Sequence, residues 1–311
     1  MKVSFVLVNY NDWHFLDPCL ASIYRFKYPW PFEIIVTDNG SSNQEAKRIV
    51  GKYPDVIVIE AGENLGFAKA NNLAIKRAKG DYIFVLNGDT ELIDNNIANA
   101  IRYMDKNTDV GMLGPELLNQ DGTHQTSTSI NNDLAFRFFS ILKASLYLDK
   151  FSLKKNKEFD SSKIQQVGFI LGAAMLVRRE VIDKVGVFDE RFFFSAEERD
   201  WCYRTLKTGF KIIYYPDWRI IHFGGSTGGG LWYMIQFHKA TMLYYEKYWG
   251  FIGRFAVKIS FLTYALVRFM KTLIARLIKP SDKHRREFET HYGILKWHLG
   301  ITKAEHISRV R

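Results

Sequence analysis

Carboxylates and amides stand where the apolar runs of this chain stop. Phe84-Val85-Leu86 leads straight into Asn87-Gly88-Asp89-Thr90, Ile34-Ile35-Val36 into Thr37-Asp38-Asn39-Gly40-Ser41-Ser42, and Phe5-Val6-Leu7-Val8 into Asn9-Tyr10-Asn11-Asp12. Any one of these loops could be a plain turn or a helix cap, because Asp, Asn, Gly and Ser serve both purposes. Three of them together suggest one polar edge built to hold a ligand. A GxGxxG turn does not follow the first run, and no GxxxxGK[ST] loop occurs anywhere. A diphosphate held at this edge therefore needs positive charge from another source, and a divalent cation on Asp89 would supply it.

The elements that must position these residues alternate in type. Short apolar or β-branched runs at 3–8, 33–37, 56–59 and 82–86 are separated by helical textures such as 64–79, where Leu65, Ala68, Leu73 and Ala74 sit among polar residues. Strands alternating with helices predict an α/β protein with a parallel sheet and crossovers. In such sheets ligands bind at the carboxyl ends of the strands, where all three polar loops fall.

With 311 residues, 47% of them hydrophobic, the chain can bury a substantial core. Two cysteines, Cys19 and Cys202, form neither a disulfide framework nor a CxxC site, which favours a reducing setting. The opening MKVSFVLVNYND has too short an apolar run for a signal peptide and reads as a first strand, so a cytoplasmic location is expected. The net charge of +10 is concentrated at one end: beyond residue 250 there are 13 Lys plus Arg against 4 Asp plus Glu, and in the rest 30 against 29. A basic terminal segment suits an anionic membrane surface or acidic partner. A nucleic-acid enzyme would line its substrate face with cations, so nucleic acid is not expected as a partner.

The set VSFVLVNYND, TDNGSS, ENLGFAKANN, LNGDT, GAAMLVRREVIDKVGVFDERFFFSAEERDWCYR and IIHFGGST, in that order from Val3 to about Gly250, resembles glycosyltransferase family 2 in its non-processive, rhamnosyltransferase-like branch. The resemblance implies a GT-A fold, with a mostly parallel Rossmann-like sheet flanked by helices. It places the catalytic domain at 1–250 and leaves 251–311 as a basic amphipathic helical extension. The implied activity is inverting transfer of one sugar from a sugar nucleotide.

Residue by residue, the resemblance implies that Asp38 contacts the base or ribose, with Asn39 and the strand end Val8, Asn9 and Tyr10 nearby; a turn aspartate is the alternative. Asn64, Gly66, Asn71 and Asn72 match a segment that lies along the nucleotide and opens a helix, for which Asn64 could equally be the N-cap. Asn87-Gly88-Asp89 occupies the place of the DxD motif. Its first carboxylate is replaced by Asn87, leaving Asp89 to hold Mg2+ or Mn2+. His222 resembles a late histidine of the metal or diphosphate site and would tilt the choice towards Mn2+. The run Ser226 to Gly230 reads as a loop that closes over the donor.

For the base, the family pattern is Glu-Asp, whereas this chain has Glu197-Glu198, so Glu198 is the candidate. Glu197 would hold the acceptor or a helix end, and Asp200 would brace the same helix. Phe192, Phe193 and Phe194 would form a dry wall beside them. Gly172 would let backbone approach the sugar, while Arg178 is left open between site and surface. Residues 120–166 fall outside the match and read as an acceptor-side lid or an insertion.

From Arg254 to Lys279 the longest charge-free run, Ile259 to Val267, is nine residues, too short to span a bilayer. Basic and apolar residues divide between two helical faces, which predicts peripheral membrane contact through 251–279, at the inner face of the cell membrane; packing on the catalytic domain or in an oligomer is the alternative. The expected substrates are a dTDP-, UDP- or GDP-sugar, with dTDP-rhamnose the named candidate, and a bacterial cell-surface glycan or its lipid-linked precursor. A catalytically idle sugar-nucleotide or glycan-binding subunit is the competing reading.

Overall fold

The continuous apolar runs become central strands covered on both faces. In chain order the elements are β1 (Val3–Asn9), α1 (Trp13–Tyr24), β2 (Phe32–Asp38), α2 (Glu45–Lys52), β3 (Ile57–Glu60), α3 (Phe67–Arg77), β4 (Tyr82–Leu86), β5 (Thr90–Leu92), α4 (Ile97–Lys106) and β6 (Val110–Leu118). They continue with β7 (His124–Gln125), β8 (Thr128–Ser129), β9 (Gln165–Val167), β10 (Phe169–Ile170), β11 (Ala174–Arg178), α5 (Arg179–Val185), α6 (Glu197–Lys207), β12 (Lys211–His222), α7 (Leu231–Ile278) and α8 (Asp282–His298). This computed structural model describes residues 2–130, 138, 159–224, 230–278 and 281–302. Of these, 2–130, 159–193 and 197–224 form one unit, and 138, 194–196 and the residues from 230 onward form another.

The first unit is built on a sheet ordered β3-β2-β1-β4-β11-β6-β12-β5. β1 runs parallel to β2 and β4, β2 to β3, and β6 to β12, while β11 and β5 run antiparallel to their neighbours. This is the mostly parallel, helix-flanked sheet expected of a GT-A fold. Alternate residues of β1 serve opposite layers: Phe5 and Leu7 pack with Leu16 and Leu20 of α1, and Val6 with Ile35, Val85 and Ile75. Truncating a buried ring such as Phe5 to alanine would cost about 3–5 kcal/mol.

Two strands depart from simple winding, and both deliver site residues. Ala174 of β11 pairs with Leu86 of β4, so the start of an antiparallel strand lies beside the end of a parallel one. β12 shifts register between Tyr215 and Arg219, around Pro216, which has no N–H to give a ladder. Beyond the shift, His222 pairs opposite Thr90 of β5.

The second unit is helical. α7 is kinked at Gly250, whose φ of 64° and ψ of −158° interrupt the helix. α7 and α8 approach closely at Gly293, where a Cβ would lie 2.5 Å from the Leu231 side chain. His238 stacks on Phe261 at 3.8 Å, and its Nδ1 lies 2.9 Å from Nε2 of buried His298. By length and composition alone α7 is apolar enough to cross a bilayer, a wider scope than its nine-residue charge-free run predicts. Beyond Gly250, Gly253, Val257, Phe261 and Ala265 are buried, whereas Ile252, Phe255, Ile259, Leu266, Met270 and Ile274 are exposed.

Candidate active site

Parallel pairing sets the first two strand ends side by side, with Asn9 opposite Asp38. Asn9 is buried, and its Nδ2 lies 2.8 Å from Glu45 Oε2 and 3.2 Å from both Asp38 Oδ1 and Ser41 Oγ. The Asn39 backbone N–H donates to Asn9 O at 2.8 Å, which ties the two loops at their roots. Asn11 holds a φ of 55° and accepts through Oδ1 from the Ser42 N–H at 2.7 Å. Val8 and Tyr10 flank Asn9 half-buried.

The loop before α3 hangs from the same edge. Asn39 Nδ2 donates to Asn64 Oδ1 at 3.1 Å, and Asn39 Oδ1 accepts from the Leu65 N–H at 2.8 Å. Asn64 Oδ1 also accepts from the Gly66 N–H, so Asn64 closes a turn rather than capping the helix. The N-cap position belongs to Gly66, whose φ is +82° and whose missing Cβ would lie 2.4 Å from Phe193 O. That carbonyl accepts from the Phe67 N–H at 2.8 Å. Asn71 is buried on α3 with Nδ2 donating to Phe67 O, and Asn72 ties α3 to Phe188 and Glu190.

At the end of β4 the Asn87 N–H donates to Ala173 O at 2.9 Å, and Asn87 O accepts from Thr90 Oγ1 at 2.7 Å. Burial pushes the neighbouring Cys19 thiol up to about 12, leaving it an inert packing group. Gly88 has room for a side chain, since its nearest neighbour is the Leu16 side chain at 3.6 Å. Asp89 is positioned by the Phe223 N–H, which donates to its carbonyl at 2.9 Å. Its Oδ1 lies 3.4 Å from His222 Nε2. Behind the imidazole, Gln125 Oε1 lies 2.7 Å from His222 Nδ1, and Gln125 Nε2 donates to Asn119 Oδ1 and His222 O.

That second set of bonds fixes the amide orientation, so Gln125 Oε1 accepts and His222 Nδ1 carries hydrogen. A neutral His222 then turns a bare Nε2 towards a carboxylate, and two facing lone pairs call for a proton or cation between them. An imidazole nitrogen and a carboxylate oxygen are a donor set that suits a divalent ion with positions left for diphosphate oxygens. Among the described residues no group of three or more His, Cys, Asp or Glu could hold a metal.

The carboxylates of α6 follow two residues of unusual backbone. Ser195 and Ala196 hold φ values of 74° and 70°, and the helix opens at Glu197 with Glu197, Glu198 and Asp200 in its first turn. A non-glycine residue in this region costs roughly 1–2 kcal/mol, and such strain clusters at functional sites. A Cβ at Gly172 would lie 3.4 Å from Glu198 Cβ, which sets Glu198 against the backbone just before β11. Glu197 is buried. Fully buried Asp200 accepts from Arg204 Nε at 2.8 Å, while Arg204 also donates to Val185 O and Val187 O, so Asp200 braces the helix.

One edge of the first unit's sheet thus collects Asn9, Asp38, Asn39, Asn64, Gly66, Asn87, Asp89, Gly172, Glu198 and His222. Arg178, left open between site and surface, donates to Val110 O, Met104 O and Asn107 O, and Arg179 to Ala78 O and Gly80 O, so both half-buried side chains tie backbone together. Of the three phenylalanines, Phe192 is buried, Phe193 is partly exposed and caps α3 with its carbonyl, and Phe194 packs on Tyr233 at 5.5 Å. Of the run 226–230, expected to close over the donor, residues 226–229 lie outside the described residues, as does most of 120–166.

Comparison with known proteins agrees with this architecture. The model of "Glycosyl transferase family 2" matches residues 4–186. A Mycobacterium tuberculosis N-acetylglucosaminyl-diphospho-decaprenol L-rhamnosyltransferase is 24% identical over 253 residues, covering 77% of this chain and 82% of the relative. The dTDP-rhamnosyl transferase RfbF of Shigella flexneri is 26% identical over 192 residues, 61% of this chain and 59% of its own. Among solved structures, the mannosyltransferase PcManGT from Pyrobaculum calidifontis, in complex with GDP-Man and Mn2+, superposes with a TM-score of 0.55 at 16% identity, over 96% of this chain and 86% of that one. A matching family model over most of the chain, relatives in the rhamnosyltransferase branch and a shared GT-A fold lead to one conclusion: the chain belongs to glycosyltransferase family 2 and is an inverting glycosyltransferase.

Proposed function

We propose that this enzyme moves one sugar, rhamnose from dTDP-rhamnose, onto a hydroxyl of a lipid-linked precursor of a cell-surface glycan. The relatives' names support both the sugar and a polyprenyl diphosphate acceptor. The observation that carries metal dependence is the Asp89–His222 pair at 3.4 Å, with Gln125 fixing the imidazole. Asp89 and His222 would hold Mg2+ or Mn2+, and the ion, when bound, would neutralise charge on the donor diphosphate. Mn2+ in the PcManGT complex and the imidazole ligand both favour Mn2+.

In this reading residues 1–250 carry catalysis. Asp38, with Asn39 and the Val8-Asn9-Tyr10 strand end, holds the nucleoside. Asn64, Gly66 and Asn71 shape the loop and helix along it, and Asn87, Gly88 and Gly172 give backbone approach to the diphosphate and sugar. Glu198 takes the proton of the acceptor hydroxyl as that oxygen bonds to the anomeric carbon; the bond from that carbon to the diphosphate oxygen breaks, and its electron pair leaves with the nucleoside diphosphate. Glu197 and Asp200 hold the helix turn that aims Glu198.

Residues 251–279, within the C-terminal region 251–311, are read as a peripheral membrane contact on the cytoplasmic face. Support comes from the exposed row Ile252, Phe255, Ile259, Leu266, Met270 and Ile274 beside exposed Lys258, Lys271 and Arg276. From 247 to 281 the sequence has no acidic residue, as suits anionic headgroups. The test of the donor reading is binding of dTDP-, UDP- and GDP-sugars with Mn2+, Mg2+ or EDTA. Tight binding of dTDP-rhamnose only with metal is expected; metal-independent binding, or preference for another donor, would overturn that part of the reading.

A further inference from the structure

Two buried carboxylates draw on one amide at the end of β1. Asn9 Nδ2 has two hydrogens for three oxygens: Glu45 Oε2 at 2.8 Å, and Asp38 Oδ1 and Ser41 Oγ at 3.2 Å each. Ser41 Oγ also accepts from the Asn11 N–H at 2.9 Å. The shortest bond goes to Glu45, so Asp38 keeps only a long, shared one while just 6% exposed. A carboxylate so sparsely paired keeps acceptor capacity for a further donor. Turning the Asn9 amide over would not help, because its oxygen would then face two carboxylates. In the observed orientation Asn9 Oδ1 is buried without a hydrogen-bond partner among the described residues.

Glu45 itself is 4% exposed and lies in the first turn of α2, where the helix dipole favours a carboxylate. We propose that Glu45 is a positioning residue of the nucleoside pocket: by holding the Asn9 amide, it keeps the Asp38 carboxylate available to accept an N–H or O–H of the donor's nucleoside. The inference rests on the reading of Asp38 given above and adds the device that maintains it. The acceptor-rich cluster selects a ligand portion that brings hydrogens, a base imino group or ribose hydroxyl, and repels phosphate oxygens.

The test is calorimetric titration of the full chain with UDP, GDP and dTDP, each with MnCl2, alongside Glu45→Gln, Asp38→Asn, Asn9→Ala and the Asn9→Ala/Glu45→Gln pair, with melting curves to verify folding. Glu45→Gln is expected to weaken binding of the preferred diphosphate about tenfold, and to add nothing in the Asn9→Ala background, because it acts through that amide. In turnover assays the same variant should raise KM and leave kcat within about twofold. Where Glu45→Gln does not fold, Glu45→Asp, shorter in reach, carries the same expectation. If Asp38→Asn weakens binding while the Glu45 variant binds like the wild type, or if the Glu45 effect is undiminished without the Asn9 amide, the inference on Glu45 is overturned and Asp38 keeps its role. If no nucleoside diphosphate binds, or neither carboxylate variant alters binding, the nucleoside-pocket reading falls as well.

Discussion

His222 Nε2 stands 3.4 Å from Asp89 Oδ1 because β12 pairs antiparallel with β5, opposite the residue that follows Asp89. The relationship is held from behind by Gln125, which the Nδ1 side of the ring contacts at 2.7 Å. Gln125→Leu removes that acceptor without touching either proposed ligand. The expected outcome is a 10- to 100-fold loss in Mn2+ affinity, roughly what an outer-shell partner contributes. Electron paramagnetic resonance of free Mn2+ during titration measures it, and unchanged affinity would contradict the fixed-tautomer account.

Gly66→Ala should be severely destabilising. The new Cβ would meet Phe193 O at 2.4 Å, and the φ of +82° is unfavourable for any side chain. A loss of about 3 kcal/mol or more is expected in urea unfolding, against about 1 kcal/mol or less if the loop simply relaxes.

Much of this arrangement was legible beforehand because the central strands are continuous apolar runs: 3–8, 33–37, 56–59 and 82–86 were expected, and β1 to β4 lie within about a residue of them. The polar strand ends followed from those runs. Gln125 and Glu45 carried no such signal, since each lies within a polar run and its partner is distant in sequence. For Asn64 the sequence left cap and contact open, and the N-cap position goes to Gly66, whose φ is +82°. Arg178 and Arg179 lay beyond sequence reasoning, since their partners are backbone carbonyls.

The helical unit should lose stability as pH falls. Burial lowers His238 to about 3 and His298 to about 4, below their ordinary value of 6.5. The unfolded chain therefore binds protons that the folded one refuses, and stability present above pH 6.5 is lost as pH falls from there towards 4. Melting temperatures from pH 7.5 to 5 should decline, and the His238→Leu/His298→Leu variant should show a flatter slope. Equal slopes would contradict the assignment.

The outer face of α7 predicts lipid binding without a spanning segment. Phe255→Asp with Ile259→Asp should abolish co-sedimentation with vesicles of anionic phospholipid, and 0.5 M salt should weaken it, as charge screening requires. Retention through alkaline carbonate washing would instead favour insertion across the bilayer.

The most direct measurement is single-turnover transfer by Glu198→Gln, at donor concentrations where binding matches the wild type. The amide keeps the shape beside Gly172 but cannot take a proton, so transfer should slow about 100- to 10,000-fold with donor affinity within about twofold. Transfer at the wild-type rate would contradict the account and move the search for the base elsewhere.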